Sequence, residues 1–473
     1  MTKKRNTHGL TGWQKFFLSF PTMPGNLSVV LIHNAFLKYY TDIVGMDPKY
    51  VGIIYAIFGI WNAINDPAIG VWLDRYKYND KKGKYVHIMK LTVPVTLFAS
   101  FAMIFAQSSW HEWVQFAFLL SLLFIYDTSM TTFNIAYGNY KLIAAPANED
   151  RVDIEVYITY IANIGGFLGT LIPTLLLVGN TDKGLTTILF SAVLALNAIL
   201  YYFALKPLKD TKAMYLKDNA QISERKKIFG DVFDNVKDAV KSKAFVTYMI
   251  NQLLASGPRA FYFTPFLYMA DYVLKLQGEQ ATVMDVSMGI ALFIAAPFLG
   301  KLTKRLGLKN TMIWASIPCA FAYLLLAFVN SFAGAMLAYI VMYIFSSAVL
   351  VPQGPMFGAI IDEDEQRTGH RKAGMFNGLK ALLTIPVSGI QASLFMGIIS
   401  AYGFAAGGKI QSAQALLGIK IGTGALPFVF MLLSIIPLLF LPIDRKKELE
   451  ISEFAQSRQR EEVPMDGEQG DMA

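Results

Sequence analysis

The stretch Ile60-Trp61-Asn62-Ala63-Ile64-Asn65-Asp66-Pro67-Ala68-Ile69-Gly70-Val71-Trp72-Leu73-Asp74-Arg75 closes a run that is otherwise apolar from Val51 to Leu73. At about 1.5 Å per helical residue that run is long enough to cross a hydrocarbon layer of roughly 30 Å. Asp66 is therefore an acid at membrane depth. A lone carboxylate at the centre of an inserted helix costs about 2.5–3.5 kcal/mol, so it requires a partner, a proton or an ion. Asn62, Asn65 and Asp66 fall at i, i+3 and i+4 and share one helix face, which is expected to line an aqueous cavity.

The composition agrees. Of the 473 residues 54% are hydrophobic and only 16% charged, and the mean hydropathy of +0.41 is too high for an ordinary soluble domain. The fold class read from this is an all-α integral membrane protein. A net charge of +8 would suggest nucleic acid in a soluble chain, but here the basic residues sit in short loops between apolar segments and set topology; no nucleic-acid partner is expected. Met1 to Trp13 is polar and lacks the apolar core of a cleavable signal. Cys319 is the only cysteine, which excludes a disulfide framework and a thiolate metal cluster within one chain.

Twelve apolar segments follow one another at 14–41, 51–73, 87–107, 113–138, 154–178, 184–205, 244–270, 283–303, 310–329, 332–361, 374–402 and 421–442. Arg75, Lys77, Lys81, Lys82 and Lys84 follow the second and Lys301, Lys304, Arg305 and Lys309 follow the eighth, while loops 107–112 and 330–331 are nearly free of positive charge. The positive-inside rule then places both termini in the cytoplasm of a cell (inner or plasma) membrane. The hydrophilic insertion 206–243 divides the spans into bundles 1–205 and 244–443. Within it Ile228, Val232, Phe233, Val236 and Val240 recur at helical spacing, the pattern of an amphipathic helix on the membrane surface. The charged tail 444–473 lacks apolar periodicity and is expected to be disordered.

The halves echo each other. Gly70-x-x-x-Asp74-Arg75 between spans two and three returns as Gly300-Lys301-x-x-Lys304-Arg305 between spans eight and nine. Gly70, Asp74, Arg75, Arg305 and Arg371 are the candidate cytoplasmic gate: a small residue for close helix approach, and charges able to bridge helix ends. Proline and glycine interrupt the first span at Pro21, Pro24 and Gly25 and the seventh at Gly257 and Pro258. Interruptions at matching places in two repeats point to a transporter's substrate site. Gly165 and Gly169 form a GxxxG packing surface in the fifth span.

Ionisable residues inside apolar segments are functional candidates, here His33, Asp127, Arg259 and Lys380. Arg259 offers a planar donor fork for a carboxylate or phosphate, or alternatively a structural partner for Asp127 or Asp66. His33 suits either a helix–helix hydrogen bond or a proton relay. Lys38, near the outer end of span one, is expected to snorkel. Asp66 and Asp127 each lie about 14–15 residues, roughly 21–23 Å, inside their spans, so their depths match.

Three stretches then carry a resemblance: Tyr39-Tyr40-Thr41-Asp42-Ile43-Val44-Gly45, Trp61-Asn62-Ala63-Ile64-Asn65-Asp66-Pro67, and Thr368-Gly369-His370-Arg371-Lys372-Ala373-Gly374-Met375-Phe376. With them the chain resembles the glycoside–pentoside–hexuronide:cation symporters, the melibiose-permease branch of the major facilitator superfamily. The resemblance implies twelve helices in two six-helix bundles, alternating access, and sugar uptake coupled to Na+ or H+. Family members carry a second acid where Asn62 stands. The melibiose permease has sugar-binding acids that align with Asn26 and Asn134, a sugar-contacting tryptophan and arginine that align with Gly138 and Thr159, and a lysine that aligns near Ile385. Its cation-site threonine aligns with Thr131. The candidate cation site is accordingly Asn62, Asn65, Asp66, Asp127 and Thr131, with Asp127 supplying the carboxylate missing at Asn62. The candidate substrate site is Asn26, His33, Asn134, Thr159, Arg259 and Lys380.

A secondary active transporter of a small polar solute is thus expected: a sugar, glycoside, uronide or related organic anion. It would need no cofactor beyond the coupling ion and would work as a monomer among membrane lipids. The alternatives are a lysolipid transporter of the same fold and a non-transporting membrane receptor. An enzyme is not expected, because the five histidines are scattered and no nucleophile–base pair is evident.

Overall fold

The computed structural model describes residues 10–145, 148–180, 182–215, 240–260, 262–369, 373–384, 386–408 and 410–462. The surface helix expected around Ile228–Val236 lies outside them, as does Arg371. Among the described residues each of the twelve apolar segments falls mainly on helix. Nine helices are long and apolar enough to cross a membrane among the described residues, or ten if Gly278–Ala295 and Pro297–Leu306, bent by 50° at the proline, count as one span. The second span, Pro48–Arg75, carries the polar face described above. It begins with a proline at a position whose N–H would have no helical partner, and the Asp47 carboxylate accepts from Lys49 N at 2.8 Å.

Helix breaks accompany spans one and seven. The first span runs as Gly12–Ser19, Thr22–Val30 and Phe36–Lys38, with π-helical stretches at Leu31–Ala35 and Tyr39–Val44. The seventh continues through Pro258 to the end of Lys243–Ala260, resumes at Phe263–Tyr268, and also ends on a π-helical stretch, Met269–Val273. Wide π turns are rare and concentrate at functional sites.

By packing, the chain sorts into two units. One is Met1–Lys226 with Phe261–Val286 and Ser388–Gly422. In it Tyr39 Oη donates to Ile104 O at 2.6 Å and Tyr40 Oη to Met103 O at 3.0 Å, joining spans one and three. The GxxxG surface is used as its spacing suggests. A Cβ on Gly165 would stand 2.3 Å from Met23 O, and one on Gly169 2.7 Å from Val30 Cβ, whereas one on Gly166 would meet nothing within 4 Å. Gly165→Ala is therefore expected to cost about 1–3 kcal/mol or more, because the obstacle is backbone. Unfolding in detergent checks this, with Gly166→Ala as the neutral control; equal melting of the two variants would remove the packing role.

The second unit is Lys227–Ala260 with Ser287–Val387 and Thr423–Ala473. Tyr248 Oη donates to Gln353 O at 3.0 Å, and Asn251 Nδ2 to Ser434 O at 2.8 Å. The described part of the tail departs from the expectation of disorder, since Arg445–Glu462 is a helix. Its buried Ile451 joins the apolar core of this unit. Glu448 accepts from Leu308 N at 2.9 Å and so satisfies an otherwise orphaned N–H where the helix Leu308–Phe328 begins. A low share of apolar residues conceals how few of them this helix needs.

Candidate functional site

Spans two and four, Pro48–Arg75 and Glu112–Ala144, pack along their lengths, and their polar faces meet. Asn65 Nδ2 donates to Asp127 Oδ2 at 3.0 Å, and Thr131 Oγ1 donates to Asp66 Oδ1 at 2.8 Å. Thr128 Oγ1 reaches Asn65 Oδ1 at 3.5 Å. One turn toward the Pro48 end, Trp61 stacks on Phe124 with ring centroids 4.4 Å apart, covering the cluster on that side. Asn65 and Asp127 are buried, while Asn62, Asp66 and Thr131 keep partial exposure. Two carboxylates, one amide and two hydroxyls thus converge between two helices, with Asn62 one turn from Asn65 on the same helix. Oxygen donors of this kind suit a hard monovalent cation, and two neighbouring carboxylates equally suit a shared proton, because both resist being ionised together. Among the described residues no group of three or more His, Cys, Asp or Glu could hold a metal ion.

The candidate substrate residues are scattered more widely. Asn26 Nδ2 donates to Ala162 O at 3.2 Å, so it ties span one to span five. The His33 ring stands edge-on to Phe58 at 5.5 Å and to Tyr126 at 6.5 Å. Asn134 and Thr159 are exposed, and Thr159 Oγ1 donates to Glu155 O of its own helix at 2.8 Å. In the second unit Arg259 Nε donates to Ala255 O at 2.9 Å, and the Lys380 ammonium lies 4.4 Å from the centre of the Phe357 ring. Of the gate residues, Arg305 is exposed, Gly70 has no atom within 4 Å of where a Cβ would stand, and the side chains of Asp74 and Arg75 lie outside the described set.

A second polar cluster lies where span one ends on its π turns. Lys38 does not snorkel: it is wholly buried, paired with Asp42 one turn away and with Asp271 of span seven at 2.6 Å. Its ammonium also lies 4.9 Å from the centre of the Tyr268 ring and 4.4 Å from that of Tyr272. Asp271 accepts from Gly179 N at 3.0 Å, Thr41 bonds the Tyr268 hydroxyl, and Gly407 N donates to Thr41 O at 2.8 Å. Beside the cluster a cavity of about 410 Å³ is lined by Asp271, Tyr272, Lys275, Gln277 and Gln411. The i, i+4 spacing of Lys38 and Asp42 was the available signal for the pair; nothing local points to Asp271.

Residues 17–445 match the family described as MFS/sugar transport protein. The chain belongs to that family. This transporter is 24% identical to the uncharacterized symporter YnaJ of Bacillus subtilis (strain 168), over 89% of the chain and 90% of the relative. It is 21% identical to the isoprimeverose transporter of Lactiplantibacillus pentosus, over 96% and 93%. With the glucuronide carrier protein homolog of Escherichia coli (strain K12) it shares 20% identity over 88% and 89%. Its fold is that of the nucleoside transporter NupG, with a TM-score of 0.61 at 14% identity, covering 94% of this chain and 98% of that one. It is a multi-pass membrane transporter, not an enzyme.

Proposed function

We propose that this transporter is a cation symporter whose coupling ion, Na+ or H+, is held between spans two and four by Asn62, Asn65, Asp66, Asp127 and Thr131. The observation that carries the reading is the meeting of Asn65 with Asp127 and of Thr131 with Asp66. It gathers hard oxygen donors at membrane depth in a family whose relatives are named as symporters and sugar carriers. The cargo is a small polar solute, a sugar, glycoside or uronide. An acidic group on it is favoured by the uncharged Asn26 and Asn134, by the fixed charge of Arg259 in span seven, and by the kinship with a glucuronide carrier homolog. Transport proceeds by alternating access with the termini and the 206–243 insertion in the cytoplasm, as the basic loops favour.

Uptake of a panel of glycosides, uronides and organic acids into proteoliposomes, under an imposed sodium or proton gradient, tests the reading. One gradient is expected to drive accumulation of at least one solute. Arg259→Gln is expected to weaken an acidic solute far more than its neutral analogue. Transport indifferent to both gradients would end the symporter reading, and equal loss for the two solutes would end the anionic one.

A further inference from the structure

Asp285 stands apart from both clusters already described. It lies seven residues into the helix Gly278–Leu306, about 10 Å along the axis. It is only 7% exposed. Among the described residues its Oδ2 has no hydrogen-bond partner, and one turn away at i−3 the buried Thr282 Oγ1 has none either. The Thr170 hydroxyl of span five lies within hydrogen-bonding reach of the carboxyl. A hydroxyl has a single hydrogen, and that of Thr170 is shared between Asp285 and Phe167 O of its own helix, 3.0 Å away. An ionised Asp285 would therefore meet at most that one hydrogen, and its Oδ2 would meet none.

Span five and the start of this helix approach so closely that a Cβ on Gly278 would stand 2.8 Å from Leu175 O. Charge is sparse. On its own helix the nearest acid is Glu279 near the start, and the bases Lys301, Lys304 and Arg305 sit at the far end. Span five carries no acid or base from Val156 to Leu177 apart from the tyrosines Tyr157 and Tyr160. Asp271, earlier in the chain, is engaged by Lys38 and Gly179. Among the described residues no charged group acts on Asp285.

We propose that Asp285 is a proton-binding site, separate from Asp66 and Asp127. A proton from water joins the carboxylate at Oδ2 and converts it to the neutral acid, which then has a hydrogen to give to an acceptor such as Thr170. The neutral acid is the form that a buried, cation-free position accommodates. A metal ion is a poorer occupant, because one carboxyl and two hydroxyls supply few of the six or so oxygens that hard cations gather.

Infrared spectroscopy of the full-length protein in lipid nanodiscs tests this. At neutral pH the wild type is expected to show a protonated-carboxyl C=O component that Asp285→Asn lacks. Asp66→Asn and Asp127→Asn should retain that component, and sodium should leave it unchanged. An identical carboxyl band in wild type and Asp285→Asn would overturn the proposal. Loss of the component on adding sodium would also overturn it, in favour of a metal site. If Asp285→Asn does not fold, Asp285→Glu keeps a carboxyl and must shift the component's frequency; an unshifted band would overturn the assignment equally. Failure of the sodium or proton symport reading would leave this outcome untouched, since the spectrum needs no solute.

Discussion

Lys38→Met is expected to lower the stability of the protein in detergent by about 3–5 kcal/mol, the usual cost of removing one partner from a buried ion pair. Lys38 is fully buried, and its loss leaves Asp42 and Asp271 facing each other without a cation. Asp271 keeps some contact with water and with Gly179 N, so the greater penalty falls on Asp42. Methionine refills the space between Tyr268 and Tyr272, which isolates the electrostatic part of the effect. Adding Asp42→Asn and Asp271→Asn to Lys38→Met is expected to restore most of the loss, because a neutral triad needs no counter-charge. Denaturation of the single and triple variants provides the measurement. A single variant as stable as the wild type would mean that the cluster contributes nothing.

Asp127→Asn is expected to abolish the response to the coupling ion. If the ion is sodium, a concentration about a hundredfold above its Kd raises wild-type stability by about 2.7 kcal/mol through mass action. The variant should show no such rise, since an amide in place of the Asp127 carboxylate leaves Asp66 as the single acid among the proposed ligands. If the ion is a proton, sodium leaves both proteins unchanged and a proton gradient drives uptake in the wild type alone. Retention of full gradient coupling by Asp127→Asn would remove Asp127 from the site.

The helices are legible in the sequence because a membrane allows few alternatives to long apolar segments, and among the described residues all twelve fall mainly on helix. The span-two face is legible because Asn62, Asn65 and Asp66 share a regular α-helix, and matched depth then leads from Asp66 to Asp127. That same rule stops at the Lys38 cluster. The i, i+4 step from Lys38 reaches Asp42, but Asp271 is 233 residues away on a π turn of another span, which no spacing within span one foretells. Asp285 does carry a sequence signal, an acid inside the segment 283–303, but it stands at the start of that segment, where an acid reads as the end of a span; its burial is what the sequence does not show. The tail helix shows that low apolar content need not mean disorder when one buried isoleucine and a few hydrogen bonds hold a helix in place.

The bond from Leu308 N to Glu448 spans 140 residues of chain. At roughly 5–20 residues per second, a ribosome takes on the order of ten seconds to travel that distance. During biosynthesis the start of the ninth span therefore enters the membrane long before its acceptor exists. Its neighbour Gly307, held at φ 83°, occupies a turn that Arg445 and Glu448 close around. The joint between Leu308 and Glu448 is completed only after 140 further residues have been added, so a chain that stops before Glu448 would insert its spans with that joint left open.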